Sequence, residues 1–498
     1  MEEELVIETE LEQKNDKSNV GKDGLKLTVS RLITLSIALV SAMLLSRFRT
    51  LEEYGTYSQI LLVTNIVTSL LMLGLPNSIN YFLARAESQE EKQKFLSVFY
   101  TLSTIINIVI GLSFVLSINL LIGFFDNPIL RSFAFFLALY PWTKVIMGSI
   151  ENVLVVYKKT GLLMIYRISN SLIVLLTIII SYYLTLSFYF YMILFLSIEV
   201  IFSLAVYLLV RKISGKLFFS LDKELLKKIL VFSIPIGLAA AVGTLNIELD
   251  KLIISWYFNI EELAIYTNAG KELPFTIIAT SITAVLLPQL TRYYKAGSVD
   301  KALEKWRVAT TLSYILISLI VAGVFVYAPD VLVLLYSEKY LPGLTVFRIY
   351  TLLLLLRVTY FGIMLNATGK TKFIFYSSLL ALALNVILNF AFYHLFGFIG
   401  PAIATILAQF VINFAQLLMT SYYLKKPLKD LFPFKPVIII TLVISAFGVF
   451  FYYLKIWLPL DAYLGSLGES LVLGAIWSAL FLGVMWKQIV RLWKQINE

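Results

Sequence analysis

The chain has no cysteine and a single histidine, His394, in 498 residues. Disulfides, thiolate metal sites and cysteine redox chemistry are thereby excluded, and no metal site is expected. Charge is also scarce: 14% of residues are Asp, Glu, Lys or Arg, where a soluble domain carries about 25%. No GxxxxGK[ST] phosphate loop and no nucleophile elbow with a plausible base occurs, so ATP hydrolysis and acyl transfer have no basis and an enzyme is not expected. The formal charge of +10 does not point to nucleic acid either, because the Lys and Arg are scattered among short connections instead of forming one face.

What fills the chain is apolar sequence, 59% of it. A bilayer core roughly 30 Å thick needs about 20 apolar helical residues to cross it. Fourteen stretches of that kind open near Leu27, Tyr57, Phe95, Pro128, Leu162, Phe188, Ile229, Glu262, Val308, Gly343, Phe373, Ile399, Pro436 and Leu467. Lys and Arg gather in the N-terminal tail, every second loop and the C-terminus. The opposite loops hold only Arg47, Arg49, Arg131, Lys251, Lys339 and Lys455. Under the positive-inside rule both termini are then cytoplasmic, as an even number of spans requires. The start, MEEELVIETELEQKNDK, lacks a basic n-region and reads as a cytoplasmic tail, with the first span as an uncleaved insertion signal.

Two short resemblances lie inside the chain. LEEYGTYS from Leu51 follows span one and IEELAIYT from Ile260 follows span seven; Lys159-Thr160 and Lys370-Thr371 repeat at nearly the same offset, roughly 210 residues. Six spans between copies return the chain to the same side, which makes parallel repeats about an axis along the membrane normal; common loop composition is the alternative. The expected fold is an all-α polytopic membrane protein of 14 transmembrane helices, two six-helix lobes related by a pseudo-two-fold plus two C-terminal helices. Its parts are a tail (1–26), an N-lobe (27–210), a cytoplasmic linker that is either an interfacial helix or a solvated segment (211–228), a C-lobe (229–424), and a final pair with the C-terminus (425–498).

Charges within the hydrocarbon are costly unless paired or wetted, which makes them candidate functional groups. Lys144 and Glu151 fall on one helical stripe two turns apart, Glu199 is mid-span, and Asn246 and Asp250 share a face close to Glu248 and Lys251. As helical neighbours, Lys271 and Glu272 would diverge by about 100° and need partners from other helices. Arg357 is deep in its span, while Arg31 and Arg348 are near enough to span ends to snorkel. One reading makes Arg31, Lys144, Lys271 and Arg357 the lining of a cavity for an anionic headgroup; the other pairs them with carboxylates. For Glu199, Glu248, Asp250 and Glu272, proton or sodium coupling competes with passive pairing. Pro76, Pro141, Pro235, Pro274 and Pro288 interrupt helical stretches and favour kinks, and Gly237 and Gly243 suggest close helix packing.

Taken together, SIPIGLAAAVGTLNIELDKLIISWYFNIEELAIYTNAGKELPFTIIATSITAVLLPQL from Ser233, LLYSEKYLPGLTVFRIY, NATGKTKFIFYSSLLALALNVILN, FGFIGPAIATILAQ and LFPFK resemble the polysaccharide-exporter, O-antigen-flippase-like branch of the multidrug/oligosaccharidyl-lipid/polysaccharide flippase superfamily. The resemblance covers about Leu27 to Lys435. It implies two lobes in a V that open alternately to either side, and a flippase that exports polyprenyl-diphosphate-linked oligosaccharide for cell-surface polysaccharide such as lipopolysaccharide. It places Arg31, Asn77, Asn80, Asp250 and Lys271 on the cavity wall. Expected partners are the lipid-linked oligosaccharide and membrane lipids, with a polysaccharide polymerase and glycosyltransferases as candidates; no cofactor is expected beyond a coupling proton or sodium ion. In related lipid II flippases the last helix pair offers a groove to the lipid tail, whereas span fourteen here reads as short. The alternative function is a multidrug or cation antiporter of the same superfamily, whose cargo would prefer acidic and aromatic walls. An integral-membrane transferase is disfavoured because the outer loops carry no acidic cluster.

Overall fold

In the computed structural model, residues 26–458 and 460–497 are described; the expected tail, apart from Lys26, lies outside them. No strand occurs among the described residues. The chain divides into two compact units between Thr244 and Leu245.

The first unit holds α1 (Lys26–Phe48), α2 (Leu51–Leu71), α3 (Leu75–Arg85), α4 (Gln89–Leu116), α5 (Ile118–Phe125), α6 (Ala134–Val156), α7 (Thr160–Tyr183), α8 (Phe188–Ser214) and the start of α9 (Lys223–Tyr257). Helix α6 is its hub and packs on α3, α4, α7 and α8. The second unit takes the rest of α9, then α10 (Ile260–Ala269), α11 (Ile277–Lys295), α12 (Val299–Val326), α13 (Ala328–Tyr336), α14 (Leu344–Leu353), α15 (Ile363–Ala367), α16 (Thr371–Phe396), α17 (Gly400–Leu424), α18 (Leu428–Leu431), α19 (Phe434–Trp457) and α20 (Asp461–Asn497). Here α12 is the hub, against α11, α14, α19 and α20.

Among the described residues 12 helices are long and apolar enough to cross a membrane, or up to 13 if the bent pair α2–α3 counts as one span. One of the 12 is the 54-residue stretch Thr371–Leu424, which contains both α16 and α17. Large apolar side chains such as Leu116, Leu120, Tyr183 and Trp457 stand exposed, the surface a lipid solvent demands. Lipid also removes the hydrophobic drive between helices, so close packing and polar cross-links must hold them, each such link worth about 0.6–2 kcal/mol. Tyr100 and Ser149 (2.9 Å), Thr104 and Tyr207 (2.7 Å), and Asn127 with Gln59 (2.8 Å) are links of this kind.

The two internally similar segments start helices by the same device. Thr50 and Glu53 form a capping box at α2, and Asn259 and Glu262 form one at α10, each satisfying backbone N–H groups that a helix start leaves free. Span fourteen is not short: α20 runs 37 residues, kinked at Gly465 (φ 69°). The sequence reading began it at Leu467 because Gly465 and Gly468 dilute the apolar run there. Nor is the linker an interfacial helix. Gly215 (φ 97°) ends α8, and residues 215–222 run non-helically along α4. Gln93, Ser97 and Thr101, four apart on one face of α4, meet this strap: Gln93 donates to the Lys216 carbonyl (2.6 Å), and Ser97 and Thr101 accept from the Phe218 and Ser220 N–H groups (3.3 Å each). Lys94 adds an ion pair to Asp222 at 2.6 Å.

Candidate functional site

The prolines sort into two kinds. Pro141, Pro235 and Pro288 sit within continuous helices, whereas Pro76 and Pro274 mark real breaks. In the first unit α2 stops at Leu73 (φ 46°) and Gly74 (φ 71°), and α3 leaves at 47°. Pro76 then sits in the first turn of α3, where its missing N–H costs nothing. The break packs against α9 at Gly237: a Cβ there would lie 2.0 Å from the Leu73 carbonyl carbon. Gly243, by contrast, faces open space.

Beside this break a polar network joins four helices. Asn80 donates to Asn152 (3.1 Å), and Asn152 donates to the Pro76 carbonyl (3.0 Å). One residue earlier on α6, Glu151 accepts from Arg31 of α1 at 2.9 Å and pairs through its other oxygen with Arg167 of α7. Two guanidiniums share one carboxylate, so the cluster keeps one positive charge in surplus. Arg31 remains 62% exposed, and Arg167 has a buried Nη1 with no hydrogen-bond partner. Lys144, placed by sequence on the Glu151 stripe, stands exposed with its ammonium 5.4 Å from the Tyr140 ring centre. Asn77 is exposed as well. Glu199, buried on α8, takes a 3.3 Å hydrogen bond from Asn170.

The second unit repeats the theme with different residues. Lys271 and Glu272 are not successive helical positions: α10 ends at Gly270, residues 271–273 are non-helical, and a 3₁₀ turn at Pro274–Thr276 leads into α11. A second interruption follows α14, where a 3₁₀ turn at Leu354–Arg357 gives way to irregular backbone before α15. Backbone freed at membrane depth needs partners. Asn413 supplies one to the Leu356 carbonyl (2.6 Å), and Trp306 Nε1 ties down the same stretch by donating to the Thr359 side-chain hydroxyl at 3.0 Å. The two breaks meet through an ion pair between Arg357 and Glu272. Glu272 leaves one oxygen buried and unpartnered, and Lys271 makes no ion pair among the described residues. Here, among those residues, the one ion pair at the breaks is Arg357–Glu272, with Lys271 outside it.

Asp250 sits apart from these cations and is 3% exposed. Its carboxylate accepts from Thr405 (2.6 Å), Tyr266 (3.3 Å), Asn389 (3.2 Å) and Tyr350, all neutral donors. Four residues away Asn246 accepts from Asn385 at 3.0 Å, so α9 and α16 are joined by two polar rungs. Asn389 Oδ1 is buried with no partner beside them. A buried carboxylate, an orphan carbonyl oxygen and a threonine hydroxyl with no neighbouring ammonium or guanidinium partner form an oxygen-rich site suited to a proton or a small monovalent cation. Glu248 differs: it is buried but paired with Lys251 at 2.7 Å.

Of the expected cavity residues, the structure therefore neutralises Arg31 and Arg357 in part, leaves Lys271 without an ion-pair partner, and groups Asn80 with the Glu151 neighbourhood. Sequence reasoning missed Arg167 as an embedded charge. It also missed Asn385, Asn389 and Thr405. The signal for the asparagines was present, two of them four apart in an otherwise apolar run, the same pattern that singled out Asn246 and Asp250.

The class that this geometry defines is an all-helical, multi-pass membrane fold with interrupted helices that carry charge. Solved structures share that fold: the lipid II flippase MurJ in an inward closed conformation aligns with a TM-score of 0.73 over 93% of this chain and 99% of its own, at 18% identity. An inward-facing multidrug resistance transporter of the MATE family, MOP superfamily, aligns with 0.65 over 81% and 99%, at 17% identity. By sequence, the profile described as polysaccharide biosynthesis protein matches residues 44–344, more than half the chain. The chain belongs to that family. A capsular polysaccharide biosynthesis protein, CapF of Staphylococcus aureus, is 26% identical over 242 residues, which are 47% of this chain and 59% of that relative's length.

Proposed function

We propose that this protein is a flippase that carries polyprenyl-diphosphate-linked oligosaccharide across the cytoplasmic membrane by alternating access. Counting α16 and α17 separately and α2–α3 as one gives 14 spans, which puts both termini on one side, and the Lys- and Arg-rich loops make that side the cytoplasm. Glycosyltransferases supply its substrate and a polymerase consumes the product. The observation that carries the reading is the cation surplus beside the helix breaks: Arg31 and Arg167 share Glu151 in one unit, and in the other Lys271, next in sequence to the Glu272 that pairs with Arg357, has no ion-pair partner among the described residues. A diphosphate offers several acceptor oxygens and negative charge, which planar guanidiniums bind in bidentate fashion and an ammonium meets as a point charge. The sugar, rich in hydroxyls, crosses in water while the polyprenyl chain stays in lipid, because unaided transfer of such groups through hydrocarbon is prohibitive. Family membership and the shared fold support this assignment.

Asp250 takes the coupling cation in this scheme, proton or sodium. The same carboxylate is the observation that favours the second reading, an antiporter of hydrophobic cations. That reading leaves the two cation-rich clusters without a task. Reconstitution decides between them: headgroup translocation of a polyprenyl-diphosphate oligosaccharide in proteoliposomes should fall at least tenfold in a variant combining R167Q and K271Q. Unchanged translocation would refute the diphosphate assignment.

A further inference from the structure

A crevice of about 350 Å³ runs between α12 with the start of α13 on one side and α20 on the other, at the small end of the range for ligand sites, roughly 300–1,000 Å³. None of the cation clusters described above borders it. Its walls differ along their length. Leu319 and Gly323 of α12 and Tyr327 at its C-terminal end follow one another at helical spacing, and Leu471, Gly474 and Trp477 do so on α20, so one end is apolar. The other end is polar: Asp330 of α13 accepts from Ser466 (2.5 Å) and Ser470 (2.7 Å) and pairs with Lys455.

Three features show space left for an occupant. Gly323 and Gly474 line the crevice from opposite walls, and a Cβ built on either would meet nothing within 4 Å. Tyr327 and Trp477, 3% and 1% exposed, stand with ring centres 6.2 Å apart, and both the Tyr327 hydroxyl and the Trp477 Nε1–H lack a hydrogen-bond partner. In lipid such unmet donors are costly, and the indole can only donate, so the missing partner must present an acceptor. The occupant is thus an apolar chain ending in acceptor oxygens, next to a neutralised polar cap.

We propose that this crevice holds one acyl chain of a membrane glycerophospholipid, its ester oxygens accepting from Trp477 Nε1 and the Tyr327 hydroxyl and its glycerol end resting at Asp330, Ser466 and Lys455. A polyprenyl chain, the other long apolar candidate, carries no ester at that depth and would leave both donors unmet. The site is then a lipid clamp for the terminal helix α20, separate from the cargo path.

The crevice residue Trp477 is its own reporter. The protein is reconstituted in dioleoylphosphatidylcholine vesicles with a rising fraction of the chain-brominated analogue, and the emission of W477F is subtracted from that of the unaltered chain. Trp477 emission should be quenched, and filling the slot with G474L should abolish that quenching while the thermal midpoint is kept. In detergent, native mass spectrometry should find one retained phospholipid. W477F, which keeps an aromatic ring but removes the N–H together with the five-membered ring, should weaken its retention about tenfold, the equivalent of one hydrogen bond. If G474L does not fold, G323L and W477F carry the test. Absence of quenching, phospholipid retained equally in the plugged and W477F variants, or displacement of the phospholipid by a polyprenyl phosphate at equal concentration would overturn the proposal.

Discussion

Replacing Asp250 by Asn tests the coupling role most sharply, because it removes charge with little change of shape. The carboxylate is buried on α9 and held by Thr405, Tyr266, Tyr350 and Asn389, none of them charged. A cation a few ångströms from that carboxylate gains about 4 kcal/mol at 4 Å and an effective dielectric constant of 20, so a neutral amide should weaken cation binding by about three orders of magnitude, at 1.4 kcal/mol per decade. Two structural effects oppose each other: the amide turns one acceptor into a donor facing donors, while it also relieves the burial of an uncompensated charge. Net stability should therefore change by no more than about 2 kcal/mol. The assay is headgroup translocation in proteoliposomes under an imposed sodium or proton gradient, alongside a thermal titration with sodium chloride. D250N should lose the gradient-dependent component and the salt-dependent rise in midpoint. If D250N responds to either gradient as the unaltered chain does, Asp250 is a packing residue and the coupling site lies elsewhere.

Other outcomes follow from the breaks. G237A should lower stability by about 1–3 kcal/mol, read from thermal unfolding in detergent, because its Cβ would sit 2.0 Å from the Leu73 carbonyl carbon and the backbone must yield. E272Q and R357Q should each destabilise, since each strands one charge, whereas the double variant should recover part of the loss; a coupling energy of about 1–2 kcal/mol in a double-mutant cycle is expected, and additivity would show the pair inert. N385A should lower the midpoint by more than N77A, because Asn385 bridges α16 to Asn246 of α9 while Asn77 is exposed.

The apolar spans and the all-helical class could be read from sequence because they rest on length and composition, which a bilayer constrains more tightly than water does; the family could be read because stretches such as SIPIGLAAAVGTLNIELDKLIIS resemble it. Individual embedded charges were legible for the same reason. Their partners were not. Nothing local in the sequence links Glu151 to Arg167, or Glu272 to Arg357 85 positions away; these pairs exist only once the helices are side by side. Breaks were partly legible: Pro76 and Pro274 look like Pro141 and Pro288 in sequence, yet only the first two adjoin residues that leave helical backbone, Leu73-Gly74 and Gly270 through Leu273. A proline within a membrane helix is tolerated when neighbours satisfy the freed carbonyl. Local strength of the helical signal therefore cannot tell a kink from a break. The choice between an interfacial helix and an irregular segment at 215–222 stays open in sequence for a related reason, since its backbone partners sit on α4, far away in sequence.

The central claim, that cations in surplus beside broken membrane helices receive a diphosphate, is tested most directly by binding. Purified protein is titrated in detergent with a short-chain polyprenyl diphosphate and, separately, with a hydrophobic cation of similar size. Diphosphate should bind with an affinity that falls with added salt, and more than tenfold further when R167Q and K271Q are combined, while the cation binds no more tightly to the unaltered chain than to that variant. Tighter binding of the cation than of the diphosphate, or a diphosphate affinity indifferent to both substitutions, would contradict it.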